Sequence, residues 1–157
     1  MTGVQTCALP ISQLKPIFIA EKVPAELVWL AEVESGFDRR AKSPVGALGM
    51  FQLMPATAKQ YDLSLWPFDE RKQLEPAARA AAKHLRHLHQ MFGEWRLAVA
   101  AYNCGEGTVQ KALKRYQAKS YTRIATYLPA ETQMYVPKVE ATILQREGKP
   151  LEKLKAE

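Results

Sequence analysis

The sequence predicts an all-α, mainly helical domain built from short helices. Apolar residues recur at i, i+3, i+4 and i+7 in several segments, as they do along one face of a helix. No run alternates apolar and polar residues at period two between hairpin turns, so no strand is predicted. Glycine and proline punctuate the periodic segments closely enough to keep each helix short. The chain has 157 residues, the size of one domain, and 47% of them are hydrophobic, which is enough to bury a core.

Each element has a local reason. Val23-Pro24 opens a helix because proline suits the first turn. Leu27, Leu30, Ala31 and Glu34 then share a face, and Gly36 closes the helix. Residues 37–49 read as a loop. Met54-Pro55 opens a helix over residues 56–62, and residues 66–74 (WPFDERKQL) are turn-like. The longest helix is expected over residues 75–92, with Ala78, Ala81, Leu85, Leu88 and Phe92 as its core stripe and Gly93 as its stop. Residues 94–102 form a mostly apolar, buried helix that breaks at NCGEG. Residues 108–116 are helical again. A short segment at 121–127 precedes Leu128-Pro129, and the last helix covers residues 131–146.

The domain is expected over residues 15–146, with residues 1–14 outside it and residues 147–157 as a polar tail. MTGVQTCALPIS shows no periodicity and resembles translated sequencing-adapter read-through. On that reading the natural protein continues upstream, where an export signal or a membrane or wall anchor would lie. No apolar run is long enough to span a bilayer. Cys7 and Cys104 do not make a disulfide framework, and none is expected.

The formal net charge is +6. That balance favours anionic partners without naming one. No nucleic-acid recognition motif appears, and basic residues do not interleave with aromatic ones, so no nucleic-acid partner is expected.

Glu34 is the first candidate for chemistry. A carboxyl on an apolar face is poorly hydrated, which favours its protonated form and suits a general acid. The plainer reading is a helix-end glutamate paired with Arg39 or Arg40. Glu32 lies well round the helix and reads as a solvated acid. Gly46 and Gly49 allow backbone to approach a ligand closely. Gln52 offers a donor and an acceptor, as sugar hydroxyls and acetamides require. Tyr102 and Asn103 end the buried helix beside the GEG turn, which is too short to count as a phosphate loop. Cys104 reads as a packing residue, because no histidine pairs with it. His84 and His87 stand at i, i+3, but no third ligand is evident, so no metal site and no other cofactor is expected.

Together these residues resemble the lytic transglycosylases of bacterial cell walls, in particular the soluble-type catalytic domain and its transglycosylase D branch. Four segments in order carry the resemblance, within residues 23–144: VESGFD with Glu34-Ser35, SPVGALGMFQLMP, AAYNCGEG, and LPAETQMYVPKV with Tyr135. Cys104 stands where the family often has Ser, Ala or Gly, and Met50 and Phe51 occupy positions that vary between branches.

The resemblance implies a lysozyme-like fold of short helices around a glycan-binding groove. It implies Glu34 as the single acid/base and Tyr135 as a tyrosine that reaches towards it. It places Ser43, Gln52, Met54, Tyr102 and Asn103 among the residues that hold the sugar. The implied substrate is the MurNAc-β-1,4-GlcNAc bond of peptidoglycan glycan strands, cleaved without water to leave 1,6-anhydro-MurNAc. The implied setting is the periplasm or cell envelope, and the implied state is a monomer. A hydrolytic muramidase on the same fold and a non-catalytic glycan-binding module are the alternatives. Asp38, Asp62 and Glu106 stay open as a second working acid.

Overall fold

The computed structural model describes residues 2–157, with side chains described from Pro10 onward. The described residues form eight α-helices joined by loops and single 3-10 turns, with no strand and two isolated antiparallel bridges, Lys42 with Leu48 and Leu48 with Leu53. The mainly helical class therefore stands. The chain divides into two compact units, Met1–His84 with Lys155–Glu157, and Leu85–Leu154.

The first unit begins with α1 (Thr2–Ala20), which crosses the expected boundary after residue 14 and contains Pro10 and Pro16. Each proline removes one backbone donor. Leu14 and Phe18, one turn apart, are nonetheless fully buried, and the Phe18 ring meets that of Phe51 at 5.8 Å. Pro24 then leads into a 3-10 helix, Ala25–Trp29, which tightens the chain before α2 (Leu30–Ser35). The single helix expected over this stretch is thus half 3-10. Leu27, Val28, Leu30 and Ala31 are all buried.

Helix α3 (Pro55–Gln60) starts as expected, with Met54 extended at the N-cap and proline at the first helical position. A 3-10 turn, Glu70–Lys72, sits inside the turn-like segment. Helix α4 (Leu74–Phe92) is the longest expected helix, and the boundary between the units falls within it. Ala78, Ala81, Leu85 and Leu88 are fully buried, whereas Phe92 is only half-buried because the helix ends there at Gly93.

The second unit continues with α5 (Trp95–Cys104), α6 (Glu106–Arg115), α7 (Tyr121–Ile124), a 3-10 turn Ala125–Tyr127, and α8 (Ala130–Glu147). Leu97, Val109, Ile124, Val136, Val139 and Ile143 close its core. His89 stacks on Trp95 with centroids 3.9 Å apart. The segment 147–157, expected as a tail, contains a further 3-10 turn, Leu151–Lys153, and Leu151 and Leu154 are buried. Arg96 bridges Glu140 of α8 and Glu152 of this turn, which fastens it to α5 and α8.

Candidate active site

Glu34 is the penultimate residue of α2, and the way this helix ends fixes where Glu34 stands. Gly36 adopts a left-handed conformation, its N–H donates to Glu32 O at 2.9 Å, and the Phe37 N–H donates to Ala31 O at 3.3 Å. This is the double bond of a glycine-terminated helix. Phe37 is left-handed as well, at φ 64°. A bulky residue in that region carries strain of about 1–3 kcal/mol, and such strain collects at working sites. The edge-on contact of the Phe37 and Trp29 rings, 5.8 Å apart, helps hold it.

Ser35 ties the helix end to the glycine loop. Its hydroxyl donates to Met50 O at 2.7 Å, lies 3.2 Å from Ala31 O, and accepts the Asp38 N–H at 3.1 Å. The hydroxyl has one proton, so the shorter contact, to Met50, is the stronger bond. Glu34 is half-buried, and so is Glu32. Burial alone does not separate the two acids; the Ser35 bond marks the end of the helix that is fastened to the loop.

The loop closes on itself. Leu48 and Leu53 exchange backbone bonds at 3.1 and 3.2 Å, and the Gly49 N–H donates to Ala41 O at 2.9 Å. Ser43 Oγ accepts the Ala47 N–H at 2.9 Å, so its hydroxyl shapes the turn. Gln52, at φ 50°, donates from Nε2 to Gly49 O at 2.8 Å and to Ala41 O at 3.0 Å. Both amide hydrogens are therefore used inside the loop, and the side-chain oxygen is the part that can accept from a ligand. Met54 is 40% exposed at the N-cap of α3.

Arg71 was not singled out by sequence reasoning. It is buried, and its Nη1 donates to Gly46 O and Leu53 O, both at 2.9 Å. Its Nε and Nη2 bind the Asp69 carboxylate, with the closest contact at 2.7 Å. Those hydrogen bonds hold the Asp69 carboxyl below its ordinary range, against the opposing effect of burial. A methyl group on Gly49 would lie 2.0 Å from Arg71 O, so glycine is required there by space as well as by its φ of 87°.

In the second unit the structure brings together two segments that are distant in sequence. Tyr102 and Asn103, both half-buried, end α5. The fully buried Thr132 donates through Oγ1 to Asn103 Oδ1 at 2.8 Å, and Asn103 Nδ2 donates to Glu131 Oε1 at 3.3 Å. Tyr135 is buried one turn further along α8. Cys104 is half-buried, and burial pushes its thiol pKa up, away from the thiolate a nucleophile needs.

The two histidines have separate partners. His84 Nδ1 lies 3.1 Å from the Tyr61 hydroxyl, and His87 Nε2 lies 3.1 Å from Glu106. Among the described residues no cluster of three metal-ligating side chains occurs. Of the other acids, Asp38 accepts the Arg40 N–H at 2.8 Å and Glu106 pairs with His87, while Asp62 is exposed at φ 62°.

The mainly helical fold, with the helix end bearing Glu34 fastened to a glycine loop, agrees with the lysozyme-like class that the sequence resemblance implies. A family model described as the transglycosylase SLT domain matches residues 19–125, and the chain belongs to that family. It is 43% identical over 123 residues to membrane-bound lytic murein transglycosylase D of Escherichia coli K12, a match that covers 76% of this chain and 27% of that one. It is 32% identical over 123 residues to the soluble lytic murein transglycosylase of Salmonella typhimurium, covering 71% and 19%. Among solved structures, an inactive mutant of the lytic transglycosylase Slt from Pseudomonas aeruginosa matches with a TM-score of 0.78 at 27% identity, over 92% of this chain and 25% of that chain. The 70-kDa soluble lytic transglycosylase of Escherichia coli matches with a TM-score of 0.73 at 25% identity, over 92% and 26%. This chain spans about a quarter of the length of the first of these curated relatives. No described helix is long and apolar enough to cross a membrane.

Proposed function

We propose that this chain is the catalytic domain of a peptidoglycan lytic transglycosylase, an enzyme of the cell envelope. The observation that supports this most is the 2.7 Å bond from Ser35 to Met50 O, which fastens the helix end bearing Glu34 to the glycine loop of Ser43 and Gln52. An acid fixed beside a loop held by its own hydrogen bonds is what proton transfer to a held sugar requires.

In this reading protonated Glu34 gives its proton to the glycosidic oxygen as the bond to C1 of the MurNAc residue breaks. Glycosidases generally employ a second carboxylate. Here the C6 hydroxyl of the same sugar is the attacker. Its oxygen bonds to C1, and Glu34, now ionised, takes its proton. No water is consumed, the 1,6-anhydro ring is the product, and Glu34 ends protonated for the next turnover. An attacker within the same molecule has a high effective concentration, which offsets the missing nucleophile. Gln52 accepts from the sugar through its side-chain oxygen, with Ser43 and Met54 on the same loop. The family resemblance also implies glycan contacts for Tyr102 and Asn103 and a part in turnover for Tyr135.

The test is solubilisation of purified, dye-labelled peptidoglycan sacculi by the wild-type chain and by E34Q. The expected result is release by the wild type and loss of at least about a thousandfold in E34Q, with an unchanged helical circular dichroism spectrum. Near wild-type release by E34Q removes Glu34 from the chemistry.

A further inference from the structure

The residue 64–70 loop carries two aromatic side chains in water: Trp66 is 84% exposed and Phe68 77%. Exposed aromatics in such a pair contribute little to folding and are a mark of an interaction surface. The loop that carries them is fixed. The Ser64 N–H donates to the Glu70 carboxylate, the Glu70 N–H donates to Ser64 O at 2.9 Å, and Ser64 Oγ donates to Trp66 O at 2.8 Å. At its base Asp69 binds Arg71, whose other nitrogen holds Gly46 O and Leu53 O of the glycine loop. Val45, next to Gly46, is 74% exposed. Arg71 thus fixes two loops with apolar tips to one another.

A cavity of about 280 Å³ is lined by both loops, with Lys42 and Ser43 from one and Asp69, Arg71 and Lys72 from the other. The charge of Asp69 is taken up by Arg71, so Lys42 and Lys72 leave this cavity positive. An exposed aromatic tip whose chain runs on, through Asp69, into the lining of a cationic cavity is complementary to a ligand that alternates apolar ring faces with carboxylates. A pyranose ring presents a C–H face that stacks on Trp and Phe, and the lactyl group and stem peptide of muramic acid supply carboxylates.

We infer that the Trp66–Phe68 loop and the Lys42/Lys72 cavity form an additional stretch of glycan-binding surface, which grips a carboxylate-bearing amino-sugar strand beyond the part held by Ser43. The inference rests on the proposed reading of the Ser43 loop as substrate-binding, because Ser43 also lines this cavity.

The experiment is done in the E34Q background, where binding is read without cleavage, by sedimentation with purified insoluble peptidoglycan. W66A/F68A weakens binding about tenfold, and W66F/F68Y, which keeps the rings, restores it to within about twofold. K42A/K72A weakens binding about threefold and reduces its sensitivity to salt. Binding that ignores W66A/F68A overturns the inference. So does sedimentation with phosphatidylglycerol vesicles that is lost in W66A/F68A while wall binding is kept, because the tip then serves a lipid surface. Thermal melting of W66A/F68A checks that the loop change leaves the fold intact. Cleavage by the Glu34 form is measured in parallel on the same sacculi. Wall binding through the loop with no cleavage sustains this surface and removes the catalytic reading, whereas cleavage with loop-independent binding removes this surface alone.

Discussion

Glu34 and Gly49 show how single residues carry the account. Glu34 is one of two half-buried acids on a short helix, and its neighbour Ser35 decides which of them the protein has fixed against the glycine loop. S35A removes the bond to Met50 O and leaves that carbonyl to find another donor. It is expected to cost about 1–2 kcal/mol in urea denaturation and to lower turnover more than binding. Equal turnover in S35A and wild type would detach the bond from positioning. G49A has no room, since its methyl would sit 2.0 Å from Arg71 O at φ 87°. A loss of roughly 2–4 kcal/mol is expected, and a neutral effect on the unfolding midpoint would contradict the geometry. Y135F is expected to slow turnover with little change in KM, whereas unchanged turnover would take Tyr135 out of the mechanism. The legible part of the site was the residue types and their spacing. Arg71 was not legible, because its acceptors Gly46 and Leu53 lie 25 and 18 positions away, and nothing local to DERK announces them. Nor was the internal use of the Gln52 amide, since only the folded loop brings Ala41 O and Gly49 O to it.

At the scale of elements, local signals worked where they were self-contained. Pro55 started α3, Gly36 ended α2, and Gly93 stopped α4, each through backbone geometry that one residue sets. They failed at α1, where two prolines obscured a helix whose buried Leu14 and Phe18 become evident only against Phe51. They failed also at residues 151–154, where two leucines in a charged segment are buried in the fold. The element joining the loops is the Asp69–Arg71 turn, and it makes a pH prediction. The folded pKa of Asp69 is depressed, so its contribution is present above the unfolded value of about 4 and fades as pH falls through the folded value. D69N is expected to cost about 1–3 kcal/mol at pH 7 and to lessen the loss of stability below about pH 4. Urea midpoints at neutral and acid pH measure both, and coincident midpoints for D69N and wild type at neutral pH would contradict the role of the pair.

For the whole molecule, the mainly helical class and the family followed from periodicity and from four ordered motifs, and the family match over residues 19–125 agrees with that family and contains the first three of the motifs. The division into two units was not legible, because it falls within the uninterrupted pattern of α4, between His84 and Leu85. The net charge of +6 suits a polyanionic polymer, and its attraction weakens as salt screens it. The central claim is that one glutamate acts twice on the same sugar, without water. Mass spectrometry of muropeptides released from purified peptidoglycan, with E34Q as the control, tests it most directly. Wild-type products are expected to be one water lighter than hydrolytic fragments and to end in 1,6-anhydro-MurNAc, with no release by E34Q. Products with ordinary reducing ends would contradict it and make the chain a muramidase.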